Sequence, residues 1–316
     1  MITKDIGRAK SCLIKNNLVA IPTETVYGLG GNAFNETAIK KIFELKKRPL
    51  NNPLIVHIPS KEMLKEVATD IPDKAFELVD CFWPGPLTVL LNKKNSVPDL
   101  VTSGKKTVAV RMPRHEMTLS LLSQIEFPLV APSANPFGCI SPTSAMHVYK
   151  YFKKELSCIL DGGKCDLGIE STIIGFENEH PIVYRLGTVS IEEIEKIVGS
   201  VSVFSKNDRN PAAPGMFSRH YAPSTSTYLA TDVEELLPLF EGKRVGLLVF
   251  SKKRNPNAAF IQEVLSEKSC LNEAASHLYA ALHRLDAAGL DVIIAEKLPD
   301  IGLGKTINDR LQRAVK

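Results

Sequence analysis

Residues 18–58 read LVAIPTETVYGLGGNAFNETAIKKIFELKKRPLNNPLIVHI, and this stretch decides the fold class. Positions 18–21 form a short apolar run of strand type that passes straight into Pro22-Thr23-Glu24-Thr25. Over 36–47, Ile39, Ile42, Phe43 and Lys46 recur at helical spacing, which predicts a helix whose end carries Lys46, Lys47 and Arg48. Pro49 stops that helix, because a residue before proline is pushed out of the α region. Positions 54–58 are again a β-type run.

The alternation continues outward. An amphipathic helix is expected over 3–17, and further helices near 61–69, 72–82, 115–124, 143–154 and 190–198. Between them lie β-type runs at 87–91, 108–112, 129–131, 157–160, 171–176 and 182–185. Interleaved helices and strands up to about 204 imply an α/β domain with a mixed sheet. The texture then changes: 205–227, SKNDRNPAAPGMFSRHYAPSTST, is rich in proline and small polar residues without periodicity. So long a stretch is a linker or a functional lid. Beyond it, a strand at 244–250, a helix at 271–288, a strand at 290–295 and a helix at 305–315 predict a small second domain with a parallel sheet. The expected division is therefore 1–204, a linker or lid at 205–227, and 228–316.

Composition sets the outer limits. The chain has 316 residues, a prior of about two domains. With 39 basic and 35 acidic side chains the net charge is +4, which rules out a polyanion-coating surface. Any nucleotide or nucleic acid must be met by a local basic site. Apolar residues at 44% and charged ones at 23% are ordinary for a globular chain. The first 24 residues lack a signal-like apolar core, and no run of 18 apolar residues occurs, so a cytoplasmic protein without a membrane span is expected. None of the six cysteines forms a CxxC pair, and buried free thiols are the expectation.

Three loops gather small, polar and proline residues where strands end: 22–30, 131–143 and 161–172. Hydroxyls and backbone amides in such turns suit anions, although the same residues also make ordinary turns and caps. Around them stand Lys46, Lys47, Arg48, Arg111 and Arg185. Arg111 and Arg185 end the apolar runs TVAVRMP and PIVYRLG, so their heads should emerge at the sheet's rim, where guanidinium suits carboxylate or phosphate. A single such Arg would be an ordinary snorkelling side chain, but two of them plus Lys-x-Arg weaken that reading. His57 alone decides nothing. GLGKT at 302–306 lacks the first glycine of a P-loop, and Gly28-Leu29-Gly30-Gly31 lacks the third glycine of a dinucleotide fingerprint. No HExxH or GxSxG occurs, so no protein metal site is expected and a hydrolase triad is poorly supported. The residues point to an anionic, nucleotide-sized ligand without naming a reaction.

PTETVYGLG, KKRPLNNPLIVHI, WPGPLT, VAVRMP, APSANPFGCISPT, DGGKCDLGIESTII and YRLG, in this order, resemble the YrdC-type domain of the threonylcarbamoyl-AMP synthase family. PGMFSRHYAP is similar to the connecting segment of its two-domain members, and GLGKTINDRLQRAV to the last motif of their C-terminal domain. The resemblance spans essentially the whole chain. It implies a YrdC-type twisted mixed sheet around a concave cleft, followed by a small Rossmann-like domain. The implied activity condenses L-threonine, bicarbonate and ATP, with Mg²⁺, into threonylcarbamoyl-AMP and pyrophosphate, for a downstream transferase complex that modifies tRNA; direct tRNA binding is not required. Threonine contacts would fall on Thr25, His57, Arg111, the backbone of Ala131 and Ser171. Nucleotide contacts would fall on Arg48, Asn52, Thr107, Ser133, Ser141, Arg185 and Tyr221, with Lys46 and Arg48 at the reacting phosphates. The 205–227 segment would then fold over the cleft and close it with Tyr221. Ala213, Thr306 and Val315 depart from the family pattern without touching these contacts. A non-catalytic binder of double-stranded RNA is the competing reading, and a carbamoyl-phosphate-using relative lacks the extra segments it would need.

Overall fold

The computed structural model describes residues 1–204, 213–216, 220–254 and 261–315. Among these, twelve strands form a first sheet: β1 (Ile2–Thr3), β2 (Val19–Ile21), β3 (Gly28–Asn32), β4 (Ile55–His57), β5 (Ala68–Thr69), β6 (Leu87–Lys93), β7 (Thr107–Arg111), β8 (Leu129–Val130), β9 (Cys158–Leu160), β10 (Thr172–Glu177), β11 (His180–Arg185) and β12 (Ser202–Val203). Their order across the sheet is β1-β9-β2-β3-β8-β4-β7-β6-β10-β11-β12, with β5 beside β6. Parallel pairs such as β4–β7 and β6–β10 alternate with antiparallel ones such as β2–β3 and β6–β7, so the sheet is mixed, as the sequence implied. The helices around it are α1 (Ile6–Ile14), α2 (Glu36–Lys46), α3 (Leu64–Val67), α4 (Asp73–Phe82), α5 (Asp99–Thr102), α6 (Glu116–Leu122), α7 (Ala145–Phe152) and α8 (Ile191–Val198).

Helix α2 forms for the reasons its sequence gives. Asn35 caps it by accepting from the Ala38 amide, and Ala38, Ile39, Ile42 and Phe43 face the core. Each fully buried Leu- or Ile-sized side chain contributes roughly 1.5–3 kcal/mol. The helix ends at Lys46, and Lys47 turns into the left-handed region at φ 52° ahead of Pro49.

One strand escaped the pattern. Gly28–Asn32 reads as part of a loop, yet it is β3, paired antiparallel with both β2 and β8. Its glycines allow close packing rather than anion binding. A Cβ on Gly30 would lie 3.2 Å from the Val19 carbonyl oxygen, and one on Gly31 would lie 3.1 Å from both Ile42 and Leu18.

The second sheet holds β13 (Ser226–Ala230), β14 (Val245–Val249), β15 (Ile261–Val264) and β16 (Val292–Glu296), all parallel in the order β13-β16-β14-β15. Helices α9 (Leu271–Asp286) and α10 (Leu303–Ala314) complete this half. β13 begins inside the segment read as structureless, because Ser226–Ala230 borrows its pairing from β16, some 66 residues on at Val292. Of that segment, 205–212 and 217–219 lie outside the described residues, and so does that part of the lid reading. The apolar face of α9 and α10 packs on Leu248 and Ile293 and continues onto Val26, Ile140, Ile169 and Tyr221 of the first half and the connecting segment. One apolar cluster therefore joins the two halves behind the cleft.

Only Cys158 and Cys165 are buried; Cys12 and Cys139 are half-buried and Cys81 and Cys270 exposed, so the expectation of buried thiols holds for two of six. Apolar sequence neighbours do not decide burial at a helix surface. Among the described residues no helix is long and apolar enough to cross a membrane.

Candidate functional site

The ends of β4, β7 and β11 and the three small-residue loops surround a cleft of about 580 Å³, including space open to solvent. Thr25, Arg48, His57, Arg111, Ala131, Ser133, Ser171, Arg185 and Tyr221 all line it. Thus loops and strand ends from positions 25 to 221 converge on one place.

One side of the cleft is built by the first sheet alone. Arg111 ends β7, and His57, its register partner, ends β4, so both side chains sit at the same edge. Arg111 Nη1 donates to Thr25 Oγ1 at 2.9 Å and Nε to the Gly85 carbonyl at 3.2 Å. Its Nη2 lies 2.7 Å from Glu24 Oε1 as a buried ion pair without hydrogen-bond alignment; neither Glu24 oxygen nor Nη2 has an aligned partner. Thr23 fixes the turn: its hydroxyl donates to the Val26 carbonyl and receives the amides of Thr25 and Val26. His57 is buried, and desolvation, reinforced by Arg111, pushes its pKa down to about 3. The ring is therefore neutral. Nδ1 lies 3.2 Å from the Ile55 carbonyl and must be the protonated nitrogen, which leaves Nε2 as an acceptor. The Ala131 amide is spent on Ile55, so its carbonyl is the backbone group it can offer a ligand.

The other side is cationic and takes in the connecting segment as well as the first half. Arg48 Nε and Nη2 donate to the carbonyls of Asn52 and Pro53, at 3.1 and 2.7 Å. Burial, and then Arg185, lowers its pKa to about 9, still charged at neutral pH. Arg185 donates to the Ser171 carbonyl and hydroxyl and to the Pro214 carbonyl. The Ser171 hydroxyl also lies 2.8 Å from Thr88 Oγ1. Among the described residues, neither guanidinium has a carboxylate ion-pair partner. Two buried guanidiniums facing one cleft, with Arg185 offset only in part by the nearby Glu170, give the cleft a preference for an anion.

Four sequence-derived site residues do not line the cleft. Lys46, expected at the phosphates, is fully buried, and its Nζ donates to the carbonyls of Ser133 and Asn135 at 2.5 Å each. It ties helix α2 to the Ser133 loop, and burial followed by Arg48 pushes its pKa well down. Thr107 sits at the far end of β7 from Arg111. Ser141 lies one layer back, its hydroxyl donating to Glu170 Oε1 at 2.6 Å. Asn52 is buried beside Arg48, and its side-chain amide has no hydrogen-bond partner.

The structure adds residues that motif reading passed over. Glu170, Pro214, Gly215 and His220 line the cleft. Burial pushes the Glu170 carboxyl up, but Arg310 and Arg185, with the Ser141 hydrogen bond, outweigh this and hold it below the usual range. Thr306, off-pattern in sequence, donates to the Gly187 carbonyl across the domain boundary. A signal for Arg310 did exist: Ile307, Arg310, Leu311 and Ala314 share one helical face, and a charge inside an apolar stripe needs a buried partner.

Comparison with known proteins falls in line with this geometry. Residues 11–187 match the family described as "Telomere recombination" (Sua5, YciO and YrdC), and residues 189–315 match "Threonylcarbamoyl-AMP synthase, C-terminal domain". The chain is 44% identical to a Pyrococcus abyssi threonylcarbamoyl-AMP synthase over 95% of this chain and 91% of that one. A Bacillus subtilis protein of the same name is 39% identical, covering 98% and 92%. The crystal structure of P. abyssi Sua5 complexed with L-threonine superposes with a TM-score of 0.92 at 42% identity, covering 98% of this chain and 93% of that one.

Proposed function

The chain belongs to the threonylcarbamoyl-AMP synthase family, and from that premise we propose how its cleft makes threonylcarbamoyl-AMP from L-threonine, bicarbonate and ATP. The chain is an enzyme of tRNA modification. The observation that carries the assignment of substrates is the pair of buried guanidiniums, Arg48 and Arg185, neither in direct ion-pair contact with a carboxylate among the described residues, across one cleft from Arg111.

Threonine occupies the sheet side. Its carboxylate takes the charge-assisted bonds of Arg111, whose Nη2 is not yet hydrogen-bonded, with Thr25 alongside. The neutral Nε2 of His57 accepts from the substrate's hydroxyl or amine. With a pKa of about 3 it is too weak a base to remove a proton, so it orients rather than deprotonates. Ser171 and the Ala131 carbonyl close this subsite.

The threonine ammonium first gives one proton to solvent; the free amine then attacks bicarbonate carbon, and the departing hydroxide takes a second proton from nitrogen and leaves as water, giving a carbamate. A carbamate oxygen then attacks the α-phosphorus of ATP in line. The new C–O–P bond forms as the bond from the α-phosphorus to the bridging oxygen breaks, and pyrophosphate leaves with the electron pair. Arg48 and Arg185 neutralise the phosphates during this step. The cleft's donors are cations and hydroxyls; of its carboxylates, Glu170 is taken up by Arg310, Ser141 and Tyr279, and Glu24 lies against Arg111 as an ion pair without aligned hydrogen bonds. Such a donor set fits phosphates, so Mg²⁺ enters as part of the MgATP substrate. Positioning and exclusion of water supply the rate. The product passes to a threonylcarbamoyl transferase complex, in the cytoplasm.

Double-stranded RNA binding is not favoured: the guanidiniums that matter are buried in a cleft instead of spread over an open face. Pyrophosphate release from MgATP that requires both threonine and bicarbonate tests the reading. No release from folded protein overturns it.

A further inference from the structure

Several contacts converge on one side chain of the second half. Arg310, in α10, is 1% exposed and pairs with Glu170 through Nε at 3.0 Å. Its Nη2 donates to the Leu186 carbonyl at 2.6 Å and its Nη1 to Asp309 at 2.7 Å. The guanidinium carbon lies 4.9 Å from the centre of the Tyr221 ring. Tyr279 of α9 also stacks on Tyr221, with centroids 5.6 Å apart, and donates its hydroxyl to the same Glu170 oxygen at 2.9 Å. One turn along α10, Arg313 donates to the Gly215 carbonyl and receives the His220 amide at its own carbonyl.

Of the lid residues held this way, Tyr221 has a backbone that a bulky side chain would not choose alone, whereas Gly215 takes its positive φ freely. Tyr221 has φ 65° and Gly215 has φ 77°. A bulky residue in the left-handed region persists only where the surroundings enforce it. What surrounds Tyr221 is Arg310, Tyr279 and His220. Since Tyr221, Gly215 and Glu170 all line the cleft, the enforcing residue and the enforced site belong to different halves of the molecule.

We propose that Arg310 is a positioning residue for the synthase reaction, acting through Tyr221 and Glu170 to hold the cleft-facing part of the connecting segment over the nucleotide side. This rests on the functional reading above. Arg310 touches no substrate in this scheme; it fixes the wall against which the nucleotide is held. A purely structural brace would instead stabilise the two halves without favouring either substrate.

The test uses the full chain with Arg310→Gln, Tyr221→Leu and the double variant. Threonine affinity is read by calorimetry, kcat/KM for ATP by pyrophosphate release, and lid order by hydrogen exchange at the His220 and Ala222 amides. For Arg310→Gln we expect threonine affinity within twofold of the parent and kcat/KM for ATP down at least thirtyfold. We also expect lid protection to fall at least tenfold while the Val56 and Val110 amides keep theirs. The double variant should be no worse than the poorer single one, because Arg310 works through the Tyr221 ring. Equal losses for both substrates, multiplying defects in the double variant, or unchanged lid exchange each overturn the proposal. Should Arg310→Gln fail to fold, Arg310→Lys keeps the charge but not the flat fork, and at least a fivefold loss confined to the same readouts is expected. Absent pyrophosphate release by the parent chain would overturn the functional reading, whereas the exchange measurement still decides whether Arg310 holds the lid.

Discussion

Two buried Glu–Arg pairs flank the cleft, and they are built to opposite standards. Glu24 and Arg111 touch at 2.7 Å, both from the first half, yet neither carboxylate oxygen nor the Arg111 Nη2 makes an aligned hydrogen bond. Glu170 and Arg310 join the two halves and are fully engaged, with Ser141, Tyr279, Leu186 and Asp309 taking up the remaining groups. A buried charge pair left short of partners retains capacity for a ligand; one with every group engaged is a fastening. The same residue types thus mark a substrate subsite in one place and a domain clasp in the other.

The largest effect should come from undoing the clasp. Glu170→Ala strands Arg310 without its main counter-charge, at a cost of about 3–5 kcal/mol of stability, read as a lower denaturant midpoint. A change below about 1 kcal/mol would mean that Asp309 alone suffices and that the pair is no fastening. Next comes the segment that the clasp holds. Deleting 211–223 should cost activity on the order of a hundredfold, since misplaced walls in such sites cost that much, while the first sheet's circular dichroism is retained. Full activity after deletion would reduce it to a tether. Arg111→Ala should then weaken threonine by roughly tenfold to a hundredfold, the worth of a charge-assisted hydrogen bond, and ATP by less than threefold. Equal losses would erase the distinction between the two sides.

The two sides also differ in how legible they were. Arg111 and Arg185 could be read directly, because a charged residue closing an apolar strand has to emerge at the sheet's edge. The clasp could not be, because Glu170 and Arg310 stand 140 residues apart and nothing local pairs them. Lys46 shows the converse. It ends a helix beside Arg48, as a phosphate ligand would, yet two carbonyls from a loop some 90 residues away capture it. Motifs reported residue types, while the tertiary fold decided which charges were already spent. β3 was missed for a related reason: its glycines answer to Val19, Leu18 and Ile42, which only the folded packing brings near.

Acid offers the finest separation of the two sides. His147 of α7 and His283 of α9 stack across the domain boundary with centroids 4.0 Å apart, near Lys150, Arg284 and Asp286. Burial, and then His283, lowers the pKa of His147 to about 3, and burial lowers His283 to about 4. Their values in the unfolded chain are near 6.5, so below that pH the unfolded state binds protons that the folded state refuses. Stability from this pair is therefore complete above about pH 6.5 and drains away as the pH falls toward the folded values. For rings this incompletely buried the loss by pH 5.5 should be about 1 kcal/mol each or less. Replacing both by Gln should lessen the decline of the denaturant midpoint between pH 7.5 and 5.5 without abolishing it, because His57 and His220 are also held neutral in the fold and contribute in the same interval. Threonine affinity over the same interval should stay level in both proteins. His57 remains neutral down to about pH 3, and the carboxylate and ammonium of threonine do not titrate there. A threonine affinity that breaks near pH 6.5 would show that His57 is far better solvated than its place between β4 and Arg111 implies.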